Sequence, residues 1–150
     1  MDYSWAIKEF QELSATELYK ILQLRIDVFM LEQDCLYPEC DNKDFKSAHI
    51  FAQSGEQIIA YARLVHPGIS YSESSIGRVV VHKDFRKFGL GKELMVRSIE
   101  QVLKTYPNRG IRISAQAHLQ KFYEELGFLK VSDEYLEDNI PHIEMLHQSA

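Results

Sequence analysis

Residues 76–94 read IGRVVVHKDFRKFGLGKEL, and the rest of the chain is organised around them. The stretch opens on Ile76, Val79, Val80 and Val81. These β-branched residues predict a strand buried on both faces. The run breaks at His82-Lys83-Asp84 and passes through Arg86-Lys87-Phe88-Gly89-Leu90-Gly91 into a helical pattern. A strand that ends in a glycine-bearing loop opening a helix can hold phosphate. Glycine lets backbone N–H groups come close to an anion, and the helix N-terminus adds free donors and a positive dipole end. Arg86, Lys87 and Lys92 add charge at the same spot. The plainer reading is a strand-to-helix turn in which glycine supplies a positive φ. The strand before the loop and the interleaved basic residues favour the anion site.

The loop is not a Walker A motif, because Gly91-Lys92 is followed by Glu93 and Arg86 stands where the first glycine belongs. Nor is it a dinucleotide fingerprint, because Leu94 stands where the third glycine belongs. Its form is R-x-x-G-x-G, from Arg86 to Gly91.

The chain has 150 residues, 45% hydrophobic and 26% charged, which predicts one globular domain over residues 1–150. No apolar run reaches the ~20 residues of a membrane helix, so no membrane partner is expected. Met1-Asp2-Tyr3-Ser4-Trp5 lacks the basic region and apolar core of a signal peptide, which makes a cytoplasmic location the expectation. A net charge of −5 speaks against a nucleic-acid partner. Cys35 and Cys40 form a lone C-x4-C and the six histidines are scattered, so no metal site is predicted and both thiols read as free. Oligomeric state is not readable, and a homodimer stays open.

Working outward, residues 4–10 predict an edge strand. Ser14-Ala15-Thr16-Glu17 is a capping box ahead of a helix that places Leu18, Ile21, Leu22, Val28 and Phe29 on one face. Arg25 and Glu32 share that face, either snorkelling outward from its edge or lining a cleft. Residues 33–46 form a long loop carrying Asp34, Glu39, Asp41 and Asp44, read either as a solvated segment or as an acidic wall for a cationic amine. Residues 48–53 and 57–65 predict a hairpin. After the opening stretch, Leu90, Leu94, Met95, Ser98, Ile99, Val102 and Leu103 form a broad helical stripe. A strand over 111–115, a brief helix stopped by Gly127, a strand from Phe128 and a last strand over 141–146 follow. The order predicts a mixed α/β (α+β) fold, with a twisted mixed sheet of six or seven strands and helices on both faces.

The R-x-x-G-x-G loop resembles the acetyl-CoA pyrophosphate loop of the GNAT N-acetyltransferases. The F-Y-x-x-x-G-F core of Phe122 to Phe128 is similar to the pattern after that family's fifth strand, and the order of elements agrees. Residues 24–35, LRIDVFMLEQDC, residues 136–143, LEDNIPHI, and residues 115–120, AQAHLQ, resemble the ElaA-type subgroup.

The resemblance implies an acetyl-CoA-dependent N-acetyltransferase in which a primary amine of a small molecule or peptide attacks the thioester directly. It assigns the pyrophosphate to the Arg86, Lys87, Phe88, Gly89, Leu90, Gly91 and Lys92 segment. It assigns the pantetheine to Val79 and Val81, on strands that part from the fifth, and polarisation of the carbonyl to a backbone N–H near Val80. Gln116 stands where many members carry Asn. Tyr123 is the candidate general acid. Glu32, His118 and His142 are candidate bases, and Arg25, Arg78, Glu32 and His142 candidate acceptor contacts. A non-catalytic acyl-CoA-binding module or sensor is the alternative.

Overall fold

The computed structural model describes residues 2–148. Among them, eight strands form two four-stranded sheets. The first sheet has the order β1 (Ser4–Glu9), β2 (Ser47–Ser54), β3 (Gln57–Val65), β4 (Ser75–Val81), all antiparallel. In the second, β8 (Ile140–His147) lies between β5 (Ile111–Gln116) and the short β6 (Leu129–Lys130), and β7 (Tyr135–Glu137) also pairs with it. Among the described residues the backbones of the two sheets pair where Ser74 bridges Ile111 in parallel and the Arg112 N–H donates to the Ser74 carbonyl at 2.9 Å.

Sequence order predicts parallel pairing of β5 with β6. The structure instead inserts β8 between them, antiparallel to both. The turn at Asp138-Asn139, both residues at positive φ, folds β7 back on β8. At three residues, Tyr135–Glu137 is too short to show periodicity and was not anticipated.

The helices cover opposite faces of the first sheet. α1 (Ala15–Arg25) starts at the predicted capping box, with Ser14 Oγ accepting from Glu17 N and Glu17 Oε1 accepting from Ser14 N. Its Ile21 and Leu24 pack with Phe51, Ile58, Tyr61 and Val80. On the other face, α2 (Leu90–Thr105) buries Leu90, Leu94, Met95, Ile99 and Val102 against Ile50, Ile59, Ala62, Ile76 and Ile113. Each large side chain so buried contributes about 1.5–3 kcal/mol.

Two local irregularities shape the site. After Arg25 the helix widens into a π-helical segment, Ile26–Glu32, with Gln33 N bonded to Val28 O and Cys35 N to Met30 O. The wider turn rotates later side chains off the α-helical stripe, so Arg25 is buried while Glu32 is exposed. The second irregularity is a bulge in β4. Tyr61 faces Val80 and Arg63 faces Gly77, so two steps on β3 match three on β4. Arg78 sits in the bulge with φ +50°. The bulge reverses the alternation: Ile76 lies on the α2 side, but so do Val79 and Val81, while Val80 faces α1.

Candidate active site

Beyond the Ser74–Ile111 bridge no ladder joins β4 to β5 among the described residues. The facing backbone edges of both strands are therefore open to a ligand. β4 is not buried on both faces along its whole length: Val79 and Val81 are half-buried beside this opening.

At the far end of β4 the loop is more ordered than its composition implies. Lys83–Phe88 makes a 3-10 helix, begun by His82, whose Nδ1 accepts from Asp84 N at 3.1 Å. Gly89 then turns the chain into α2 with φ +69°. The plainer reading of a glycine turn is correct for this residue. Gly91 differs. Its φ is not positive, and an added Cβ would meet only Val81 Cγ2, at an ordinary 3.7 Å. Nothing among the described residues requires glycine there. The helix ladder begins with Glu93 N on Gly89 O, leaving the N–H groups of Leu90, Gly91 and Lys92 at a free helix N-terminus. Lys87, Phe88 and Lys92 are exposed around it and Leu90 is buried beneath. Arg86 is committed on two sides: its Nε donates to Val81 O at 3.0 Å and its guanidinium to Glu32 Oε2 at 2.5 Å.

The other wall comes from the end of β5. Gln116 is half-buried, and its amide donates to Gln33 Oε1 at 3.5 Å. The chain turns through Ala117–Leu119, where His118 is exposed, into α3 (Gln120–Glu124). Tyr123 on α3 is buried, flanked edge-to-face by Phe122 and Phe128 at 5.1 and 5.9 Å. Burial pushes its phenol up to about 12, so near neutral pH it is a proton donor and not a base.

A profile of the acetyltransferase (GNAT) domain matches residues 17–148. The chain belongs to the GNAT family. Protein ElaA of Escherichia coli is 37% identical over 146 residues, 96% of this chain and 95% of that protein. The crystal structure of Escherichia coli ElaA superposes with a TM-score of 0.92 at 36% identity, covering 98% of this chain and 100% of that one. An acyl-CoA N-acyltransferase from Pseudomonas aeruginosa is as similar, with a TM-score of 0.94, 40% identity, and 97% and 99% coverage. This GNAT protein is thus of the ElaA type, as the motifs over 24–35, 115–120 and 136–143 imply.

The GNAT fold brings some of the sequence candidates together and separates others. Glu32 reaches the anion loop through Arg86, and Gln33 reaches the end of β5 through Gln116. Cys35, half-buried, contacts the Asp138 carbonyl at 3.4 Å, on the β7–β8 turn. Residues 32–35 therefore tie the first sheet to the second across the opening. His142 lies opposite Gln116 on β8. It is buried, its Nδ1–H donates to Ile140 O at 2.7 Å, and its Nε2 lies 3.5 Å from Glu137 Oε2.

Arg25 departs from both readings of the sequence. It neither snorkels nor lines a cleft but is 0% exposed, with Nε on Glu39 Oε2 at 2.7 Å, one terminal nitrogen on Asp44 Oδ1 at 2.9 Å and the other on Glu39 O at 3.2 Å. It has no donor aimed at a substrate. Nor is the acidic loop a free wall, because Glu39, Asp41 and Asp44 are all paired with arginines. Arg78 donates to the same Glu39 carboxylate at 2.8 Å and keeps a fifth of its side chain exposed. Gln33 escaped the sequence reading as a contact, although it stands within the quoted stretch LRIDVFMLEQDC, and Glu39, read only as one acid of the loop, gave no sign of its arginine partners because that stretch has no periodicity to mark it.

Proposed function

We propose that this GNAT protein transfers an acetyl group from acetyl-CoA to a primary amine of a small molecule or peptide, by direct attack in a ternary complex. One observation carries the reading. The parted edges of β4 and β5 open toward a free helix N-terminus with an unneeded glycine, which follows β4, and a buried, protonated tyrosine, which follows β5. These groups suit the parts of an acyl-CoA thioester: anion, extended amide arm, sulfur.

The chain's own groups divide the work. Backbone N–H groups of Leu90, Gly91 and Lys92, with Lys87 and Arg86 alongside, grip pyrophosphate. The open edge at Val79 and Val81 holds the pantetheine amides, and Gln116 faces them from β5. The N–H near Val80, just past the bulge, polarises the thioester carbonyl as charge develops on its oxygen. Tyr123 hydrogen-bonds the departing sulfur. The amine arrives from the side strapped by residues 32–35, where Glu32 is the leading candidate to take its proton, with His142 and His118 the others. A cytoplasmic enzyme without metal fits this chemistry.

Mixing the protein with acetyl-CoA and panels of amines, amino acids and peptides, and following free thiol, tests the reading. Amine-dependent thiol release is expected. A chain that binds CoA and releases no thiol with any acceptor would instead be an acyl-CoA-binding module or sensor.

A further inference from the structure

The buried charges beneath the loop 33–46 close into a ring. Arg25 meets Glu39 at 2.7 Å, Glu39 meets Arg78 at 2.8 Å, and Arg78 meets Asp41 at 3.4 Å. Asp41 meets Arg63 at 2.7 Å, Arg63 meets Asp44 at 3.2 Å, and Asp44 returns to Arg25 at 2.9 Å. Cation and anion alternate throughout, so the ring is neutral. Around it, the Tyr37 hydroxyl donates to Glu39 Oε1 at 2.5 Å and the His49 Nε2–H to the Asp44 carbonyl at 3.0 Å. The Tyr61 hydroxyl donates to His49 Nδ1 at 2.6 Å. Burial lowers the His49 pKa and keeps the imidazole neutral, in agreement with these partners. The ring draws on α1, β3, β4 and the loop.

Buried ion pairs seldom stabilise a fold more than apolar packing of the same volume would; their best-attested use is to fix a register. Only one ring member has an unusual backbone. Arg78 occupies the left-handed region at φ +50°, where a residue with a Cβ is strained. Its side chain is held by Glu39 twice, at the carboxylate and at the carbonyl (3.2 Å), and by Asp41. The bulge at Arg78 decides which way Val79, Val80 and Val81 present their backbone to the opening between the sheets.

We propose that the charge ring holds the β4 bulge in place, and that Arg78 and Glu39 are positioning residues for acyl transfer that do not touch the amine. The proposal rests on the acetyltransferase reading above. It goes beyond it by assigning the geometry of the carbonyl-polarising backbone to a loop far away in sequence.

The test compares Arg78→Ala with Arg78→Gly, with Glu39→Gln as a third variant. Both Arg78 variants lose the guanidinium, but only glycine accepts a positive φ without strain. The expected order is wild type, then R78G, then R78A. R78A should lose roughly ten- to hundredfold in kcat, the scale on which small misplacements of reacting groups act. Its CoA dissociation constant should stay within about twofold of wild type, since the anion loop is untouched. E39Q should follow R78A, and it carries the comparison if R78A does not fold. Hydrogen exchange of the residue 77–81 amides supplies a readout independent of turnover: faster in R78A and E39Q, near wild type in R78G. Equal losses in R78A and R78G, with a raised amine KM in both, would mean that Arg78 binds the acceptor, and would overturn the proposal. Unchanged kcat and exchange in R78A would also overturn it. A wild-type chain without turnover would defeat the acetyltransferase reading instead, and the exchange order would still decide whether the ring holds the bulge.

Discussion

Tyr123→Phe is the most informative single change, because the structure separates its effect on chemistry from its effect on stability. The phenol makes no side-chain hydrogen bond among the described residues and is buried between Phe122 and Phe128. Removing the hydroxyl should therefore leave Tm unchanged or slightly raised, since no partner is orphaned. Its role in transfer can be bounded. Burial pushes the phenol up to about 12, and a free thiol titrates near about 8.5. Complete proton transfer from tyrosine to thiolate is then uphill by about 3.5 pH units, or roughly 5 kcal/mol. Outright donation is too costly to carry the step. A hydrogen bond to the sulfur as it gathers charge is not, and such charge-assisted bonds contribute about 1.5–3 kcal/mol. The expected loss in kcat is therefore roughly tenfold to a hundredfold, with CoA affinity within about twofold of wild type. Steady-state thiol release from pH 6 to 9, with calorimetric titration of CoA and a thermal melt, measures all three. The wild-type profile should show no falling limb from Tyr123 in that range. Wild-type kcat in the phenylalanine variant, with CoA binding and Tm intact, would refute the reasoning.

Glu32→Gln should tighten CoA binding by up to about fivefold at low salt and less at high salt, because Glu32 competes with the incoming phosphates for Arg86 across an exposed ion pair. Salt-dependent calorimetry checks it; unchanged or weaker binding at every ionic strength would contradict the competition. The two loop glycines should separate: Gly89→Ala, at φ +69°, should lower stability by about 1–2 kcal/mol in denaturant melts. Gly91→Ala, whose new Cβ meets nothing closer than 3.7 Å, should keep its stability and lose CoA affinity. In acid, burial raises the Asp41 pKa but the Arg63 hydrogen bonds outweigh it, holding the carboxyl down at about 2. The stability this supplies, on the order of 2 kcal/mol, is complete above about pH 4 and is lost as pH falls through 2, which an acid denaturation curve of Asp41→Asn against wild type would show. In alkali the sign reverses: Tyr123, raised from its ordinary 10 to about 12, stabilises fully below pH 10 and loses that contribution between pH 10 and 12, so melts of Tyr123→Phe should show a smaller alkaline loss than wild type, the other tyrosines raised by burial, Tyr61 and Tyr71 among them, still supplying theirs.

The elements proposed to hold the donor were legible in the sequence because their information is local. The β-branched run, the glycine turn and the helical stripe lie within nineteen consecutive residues, 76–94, and the F-Y-x-x-x-G-F pattern within seven, 122–128. Periodicity also gave the hairpin, the capping box and both main helices. It failed where geometry depends on one residue more or less than the period. The π-helical segment moves Glu32 off the face of Arg25, and the bulge swaps the faces of β4 after Gly77, yet in both places the apolar pattern still fits a regular element. The insertion of β8 between β5 and β6 was hidden for another reason: pairing partners far apart in sequence leave no mark on either strand alone.

The charge ring is built almost wholly from such distant pairs. Arg25 and Arg78 read as candidate acceptor contacts, and the acids of loop 33–46 as either a solvated segment or an acidic wall. Only the fold shows that they neutralise one another. This changes what the acceptor side can recognise. With three arginines and three carboxylates paired in the ring, Glu32, shared with Arg86, and the exposed Asp34 stay outside it. A donor that displaces Glu32 from Arg86 would free a carboxylate on the strap at residues 32–35, so phosphate binding at the loop after β4 would prepare the neighbouring strap for a cationic amine.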